Sequence, residues 1–199
     1  TEDALVRIGF VNGTHAISCA LFGALKPGDT LVSAVGAPYD TLLGVIGVVD
    51  KGPGSLKQYG VNYRQVDVTP EDRPDVEGIV EAVKAPSVST VLIQRSRGYA
   101  TRAIRSANPG VNILVDNCYG EFVEEREPTQ AGADLVVGSL IKNPGGGLAP
   151  TGGYIAGRRD LVEAASMRLT TPGIGRECGS TLGNNRLLYQ GLFLAPHTV

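Results

Sequence analysis

Two kinds of hydrophobic pattern alternate along the chain. Residues 30–34, 90–94, 111–115, 133–140 and 153–157 are short, mostly apolar runs bounded by turn residues. Runs of this length fit buried strands of a parallel sheet covered on both faces. Residues 61–68 alternate polar and apolar positions, which predicts a further strand. Between these runs the period changes. Residues 14–25 place Ala16, Ile17, Ala20, Leu21, Ala24 and Leu25 on one helical face, and Pro27-Gly28 ends the helix. Residues 39–49, 75–84 and 160–169 also read as helices, and the first residues of the chain read as part of one. A last helix is predicted from Ser180 through Leu194, interrupted at Pro196.

Repeated strand–helix alternation predicts an α/β domain with a mainly parallel sheet. One connection strains that reading. Only residues 100–110 join the polar stretch 94–99, after the third predicted strand, to the fourth, whereas a parallel crossover ordinarily takes a dozen or more residues including a helix. The expectation is a segment missing or lost at that place.

Ligands of such sheets bind beyond the carboxyl ends of the strands. Asp116 closes the run at 111–115; Ser139, Lys142 and the glycines at 145–147 close the run at 133–140. A single lysine in a loop is ordinarily solvated. Here it comes with an acid at the neighbouring strand end, a serine three residues before it and a glycine run that lets backbone approach a ligand. An amine and a carboxylate delivered to one edge suit pyridoxal 5'-phosphate, whose aldehyde a lysine holds as a Schiff base and whose ring nitrogen an acid keeps protonated.

The remaining chemistry is sparse. The segment Asn12-Gly13-Thr14-His15 opens the first helix and offers free N–H groups for a phosphate, although Asn12 or Thr14 also reads as an ordinary N-cap. The polar stretch 94–99 follows a strand at the carboxyl edge, where the guanidinium fork of Arg97 suits a substrate carboxylate. Residues 121–127 carry four glutamates and one arginine and read as a solvated face. The glycines at 52 and 54 fit neither nucleotide-binding glycine pattern. There is no G-x-S-x-G elbow, and the two histidines, His15 and His197, are too far apart in sequence to suggest a metal site.

Composition narrows the class. A chain of 199 residues that is 42% hydrophobic can bury one sizeable core, so residues 1–199 are read as one domain. A formal charge of −2, from 18 basic and 20 acidic residues without a basic run, gives no reason to expect a nucleic-acid partner. Three cysteines, odd in number and widely spaced, argue against a disulfide framework and for a reducing cytoplasm. No apolar stretch approaches the ~18 residues of a membrane helix, and no signal pattern opens the sequence. A small-molecule substrate is the remaining expectation.

The segments VDNCYGEF, GSLIKNPGGG and TGGYIAG resemble the fold-type I pyridoxal-phosphate enzymes of cysteine and methionine metabolism. They resemble more closely the methionine gamma-lyase-related branch known as aluminium resistance proteins. The resemblance implies the large domain of a three-layer α/β/α fold, without the family's N-terminal segment and C-terminal small domain. It implies Asp116 as partner of the ring nitrogen, Lys142 as the Schiff-base lysine, Ser139 with Gly13, Thr14 and His15 at the phosphate, and Tyr39 stacked on the ring. Such stacking is worth about 1 kcal/mol. Cys118 stands where the broader pattern has threonine, and Ile141 also departs from it. The implied activity is carbon–sulfur bond cleavage in a sulfur amino acid by β- or γ-elimination, in a homodimer or homotetramer. Aldol cleavage, transamination and a cofactor-binding protein without turnover are the alternatives.

Overall fold

The computed structural model describes residues 2–94 and 98–199. Its elements follow in the order β1 (Glu2–Arg7), α1 (Gly13–Ala24), β2 (Thr30–Ser33), α2 (Asp40–Ile46), β3 (Asn62–Gln65), α3 (Val76–Val83), β4 (Val88–Gln94) and α4 (Gly98–Ala107). Then come β5 (Asn112–Asp116), β6 (Leu135–Ser139), β7 (Gly153–Arg158), α5 (Arg159–Leu169) and α6 (Asn185–Thr198). Among the described residues, seven strands form one sheet in the order β1-β7-β6-β5-β4-β2-β3. The pairs from β3 to β6 are parallel, while β7 runs antiparallel to both β6 and β1.

The alternation of side chains along each central strand divides the core in two. Leu31, Leu92, Leu114, Leu135, Val137 and Ile155 join one buried cluster with residues of α1, α2 and α5. Val32, Val91, Ile93, Ile113 and Val115 join the other, with Ile79 and Val83 of α3 and Ile104 of α4. Successive residues of one strand thus feed opposite layers, which is why the strands read as continuous apolar runs. The result is the three-layer α/β/α arrangement with a mainly parallel sheet.

Several sequence expectations need correction. The chain starts as a strand and not in a helix; along β1 only Leu5 is fully buried, a weak pattern that the antiparallel register with β7 organises. The connection between β4 and β5 holds the ten-residue helix α4, so a helical crossover fits where the residue count suggested none. Pro196 lies within α6 and does not interrupt it. The carbonyl that proline leaves unpaired is four residues back, at exposed Leu192, where water can satisfy it. That helix also starts at Asn185 and not at Ser180, and β3 is four residues long where eight were expected. No helix among the described residues is long and apolar enough to cross a membrane.

The glycine run after β6 proves to be a packing surface. A Cβ on Gly146 would lie 2.2 Å from the Gly191 carbonyl oxygen, and one on Gly191 would lie 2.1 Å from that of Gly145. Backbone meets backbone here, so α6 seats on the loop after Lys142 only because both sides lack side chains.

Candidate functional site

Strand parity builds the site. Asp116 is two residues past Leu114 and Ser139 two past Val137, so both project toward the face that α1 covers. The start of α1 comes close to this edge: a Cβ on Gly13 would lie 3.1 Å from Ser139 Cβ and 3.2 Å from Cys118 Sγ. The helix is capped by Asn12, whose Oδ1 accepts the His15 N–H at 2.8 Å. The Ala16 N–H is taken by the Asn12 carbonyl. The N–H groups of Gly13 and Thr14 are left without a partner among the described residues, at the positive end of the helix.

A cavity of about 740 Å³ opens over this edge. Asp116 and Lys142 both line it, as do Gly13, Thr14, Tyr39 and Ser139. Asp116 is 5% exposed and held on both oxygens: the Cys118 N–H donates to Oδ1 at 3.1 Å and the Gln94 side-chain amide to Oδ2 at 3.4 Å. Tyr39 precedes α2, and its hydroxyl shares a 3.0 Å hydrogen bond with Thr14 Oγ1. Burial, with Asp116 and Cys118 nearby as lesser causes, pushes the Tyr39 phenol up to about 12 against the lowering effect of Thr14, so it stays protonated at neutral pH. Burial first, and then the carboxylate of Asp116, push the Cys118 thiol far above its usual range. Cys118 is therefore a neutral thiol here and not a nucleophile.

One candidate is not brought to the cavity. His15 does not line it: beyond the capping bond, its Nδ1 accepts the Val11 N–H at 3.4 Å and its ring stands edge-on to Phe10 at 5.9 Å. Asn12 as an ordinary cap and His15 as its partner account for both residues. Arg97 lies outside the described residues.

Two other residues escaped the sequence. Tyr119, at a left-handed φ of 67°, lines the cavity and its hydroxyl accepts a hydrogen bond from Lys142 Nζ. Glu121, expected on a solvated face, is 4% exposed. Its Oε1 accepts from the Tyr154 hydroxyl at 2.7 Å, and its Oε2 has no partner among the described residues. Burial raises the pKa of this carboxyl, and the nearby carboxylates of Glu127 and Asp116 add to the shift against the bond from Tyr154. Glu127 is engaged too, accepting from Asn117 Nδ2 at 3.0 Å. The available signal was Gly138, a glycine inside an apolar strand run, which marks close approach by a neighbour.

The three layers and this strand order form the α/β/α fold shared with the fold-type I pyridoxal-phosphate enzymes. A protein solved from Escherichia coli, the pyridoxal-5'-phosphate dependent protein YhfS, superposes with a TM-score of 0.68 at 22% identity, over 99% of this chain and 50% of its own, which is a likeness of fold. The family model described as methionine gamma-lyase matches residues 1–199, and the chain belongs to that family. The carbon-sulfur lyase involved in aluminum resistance from Clostridium novyi NT is 52% identical with a TM-score of 0.95, covering 99% of this chain and 50% of its own. The uncharacterized protein YnbB of Bacillus subtilis is 49% identical over 212 residues, covering 100% of this chain and 50% of its own. The chain thus spans about half the length of these relatives.

Proposed function

We propose that this chain forms the cofactor-binding domain of a pyridoxal-phosphate-dependent carbon–sulfur lyase that acts on a sulfur amino acid by β- or γ-elimination. One observation carries the reading: Lys142 and Asp116 line the same cavity, with the open amino end of α1 in its wall. The donor set fits the group. An amine stands for the aldehyde, a carboxylate for the ring nitrogen, and two backbone N–H groups with the hydroxyls of Thr14 and Ser139 for the phosphate. A volume of about 740 Å³ lies within the range of cofactor pockets, ~300–1,000 Å³.

When bound, pyridoxal phosphate supplies a sink for electrons released at the substrate's α-carbon. Lys142 would hold the aldehyde, and its amine, when free, would take the substrate's α-proton on Nζ. Asp116 would keep a proton on the ring nitrogen. Its carboxyl group is fixed for this by Cys118 N–H and Gln94, so its orientation is set before any substrate arrives. The neutral phenol of Tyr39 offers a flat face to the ring and a proton at its hydroxyl. The family and the carbon–sulfur lyase of Clostridium novyi support elimination over aldol cleavage or transamination. The amino-acid substrate and a homo-oligomeric assembly belong to the same proposal.

The test uses the full-length protein. A visible absorption band that borohydride removes is expected, with the reduced label mapped to Lys142. Lys142→Ala is expected to lose the band and turnover together, and a variant keeping both would overturn the assignment. Product analysis with cystathionine, methionine and threonine then separates elimination from aldol cleavage.

A further inference from the structure

We propose that Tyr119 is a positioning residue for Lys142, a phenol that receives the lysine amine at the cavity and fixes where it can act; the inference rests on the reading of Lys142 as the cofactor-holding lysine. Lys142 Nζ donates to the Tyr119 hydroxyl and stands 4.4 Å from the ring centroid, within cation–π range. Both residues line the same cavity. A lysine amine rides on a four-carbon stem with many rotamers, and a single fixed acceptor removes most of that freedom. Positioning of a reacting group is worth orders of magnitude in rate when the geometry is right.

The backbone shows that Tyr119 is held there at a cost. A bulky residue at φ 67° is an outlier, and such strain persists only where surrounding structure enforces it. Tyr119 is 53% exposed, so core packing does not compensate. What enforces the turn is a set of ties to the neighbouring strands and loops. The Gly120 N–H bonds the Asn117 carbonyl at 2.7 Å, and a Cβ on Gly120 would lie 2.3 Å from Asn117 Oδ1. Asn143, the residue after Lys142, donates its side-chain amide to the Glu121 carbonyl at 3.0 Å. The Glu121 carboxyl is in turn anchored by Tyr154 of β7. The loop that carries Tyr119 is therefore fastened to the segment that carries Lys142.

The test measures capture of pyridoxal phosphate by the cofactor-free full-length protein, trapped with borohydride at timed intervals and mapped by peptide mass. Loss of the acceptor that orients the amine predicts capture at Lys142 about ten-fold slower in Tyr119→Phe, with an unchanged melting temperature. Tyr119→Gly separates position from packing, because glycine accepts the left-handed backbone while removing the phenol. It is expected to melt no lower than wild type and to capture as slowly as Tyr119→Phe. Capture by Tyr119→Phe at the wild-type rate or faster would overturn the proposal. So would a Tyr119→Gly variant that melts lower yet captures normally, since the ring would then be a packing element. Wild-type label on another lysine would remove the reading of Lys142 itself, whereas label on Lys142 with an unaltered Tyr119→Phe rate would remove only the role of Tyr119.

Discussion

Gly138→Ala should be among the most damaging single-methyl additions in the sheet. The new Cβ would lie 2.4 Å from Tyr154 Cε1, 2.5 Å from Tyr154 Cζ and 2.5 Å from Glu121 Oε1. Non-bonded heavy atoms settle at about 3.5–4.0 Å, so the neighbours must retreat by about 1 Å or more. The backbone of β6 has nowhere to go, because it is paired on one side with β5 and on the other with β7. The Tyr154 ring must swing instead, which breaks its 2.7 Å bond to Glu121. Overpacking costs roughly 1–3 kcal/mol. Leaving a buried carboxyl without its donor costs a further ~1–3 kcal/mol. The gain from replacing glycine in a strand is only about 0.5–1 kcal/mol, so a net loss of about 3 kcal/mol is expected. Urea denaturation of the full-length protein measures it, with the midpoint moving and the slope constant. In a Tyr154→Leu background the ring clash is gone, and the added cost of Gly138→Ala should fall by about half. A loss below about 1 kcal/mol, or one indifferent to residue 154, would refute the reasoning.

Asp116→Asn preserves shape and the acceptor for the Cys118 N–H but removes the charge. The full-length variant should still bind pyridoxal phosphate, by absorbance, while turnover falls at least about a hundred-fold; undiminished turnover would rule out the proposed role. Asp3 predicts an acid-side effect. The Arg176 guanidinium donates to both of its oxygens, at 2.5 and 3.1 Å, and with the Ala4 N–H holds the carboxyl at about 2. A depressed carboxylate stabilises the fold above its unfolded value of about 3.9, and that contribution is lost as pH falls toward 2. Melting temperature followed from pH 5 to 2 should therefore drop less steeply in Arg176→Gln than in wild type, and equal slopes would contradict the pairing.

What could be read in advance follows a physical division. The runs that became β5 and β6 were legible because both faces of those strands are buried, so apolarity is continuous and local. The helix α1 was legible because one face alone is buried. Glu121 was not, because its surroundings are distant in sequence: Gly138 supplies the space and Tyr154 the donor, and neither alters the charge density around residues 121–127. The contact of Tyr119 with Lys142 was hidden for a related reason, since it depends on a left-handed turn at a tyrosine, a conformation that residue type argues against. Composition points correctly where the solvent decides and poorly where another strand does.

The same division explains why the site tolerates so little error in pairing. In the parallel register Asp116 lies opposite Val137, so Ser139 projects two residues beyond the acid on the same face, and Lys142 follows from the loop above. A slip of one residue in β6 would turn Ser139 to the α3–α4 layer, away from Gly13. It would equally expose Val137 and Leu135 to the wrong cluster. The hydrophobic alternation that stabilises the core and the parity that assembles the cavity are thus one constraint. Register errors are penalised by the core before any selection on chemistry is needed, and mutations that weaken the Leu135 and Val137 contacts should disturb the Ser139 position even though neither residue lines the cavity.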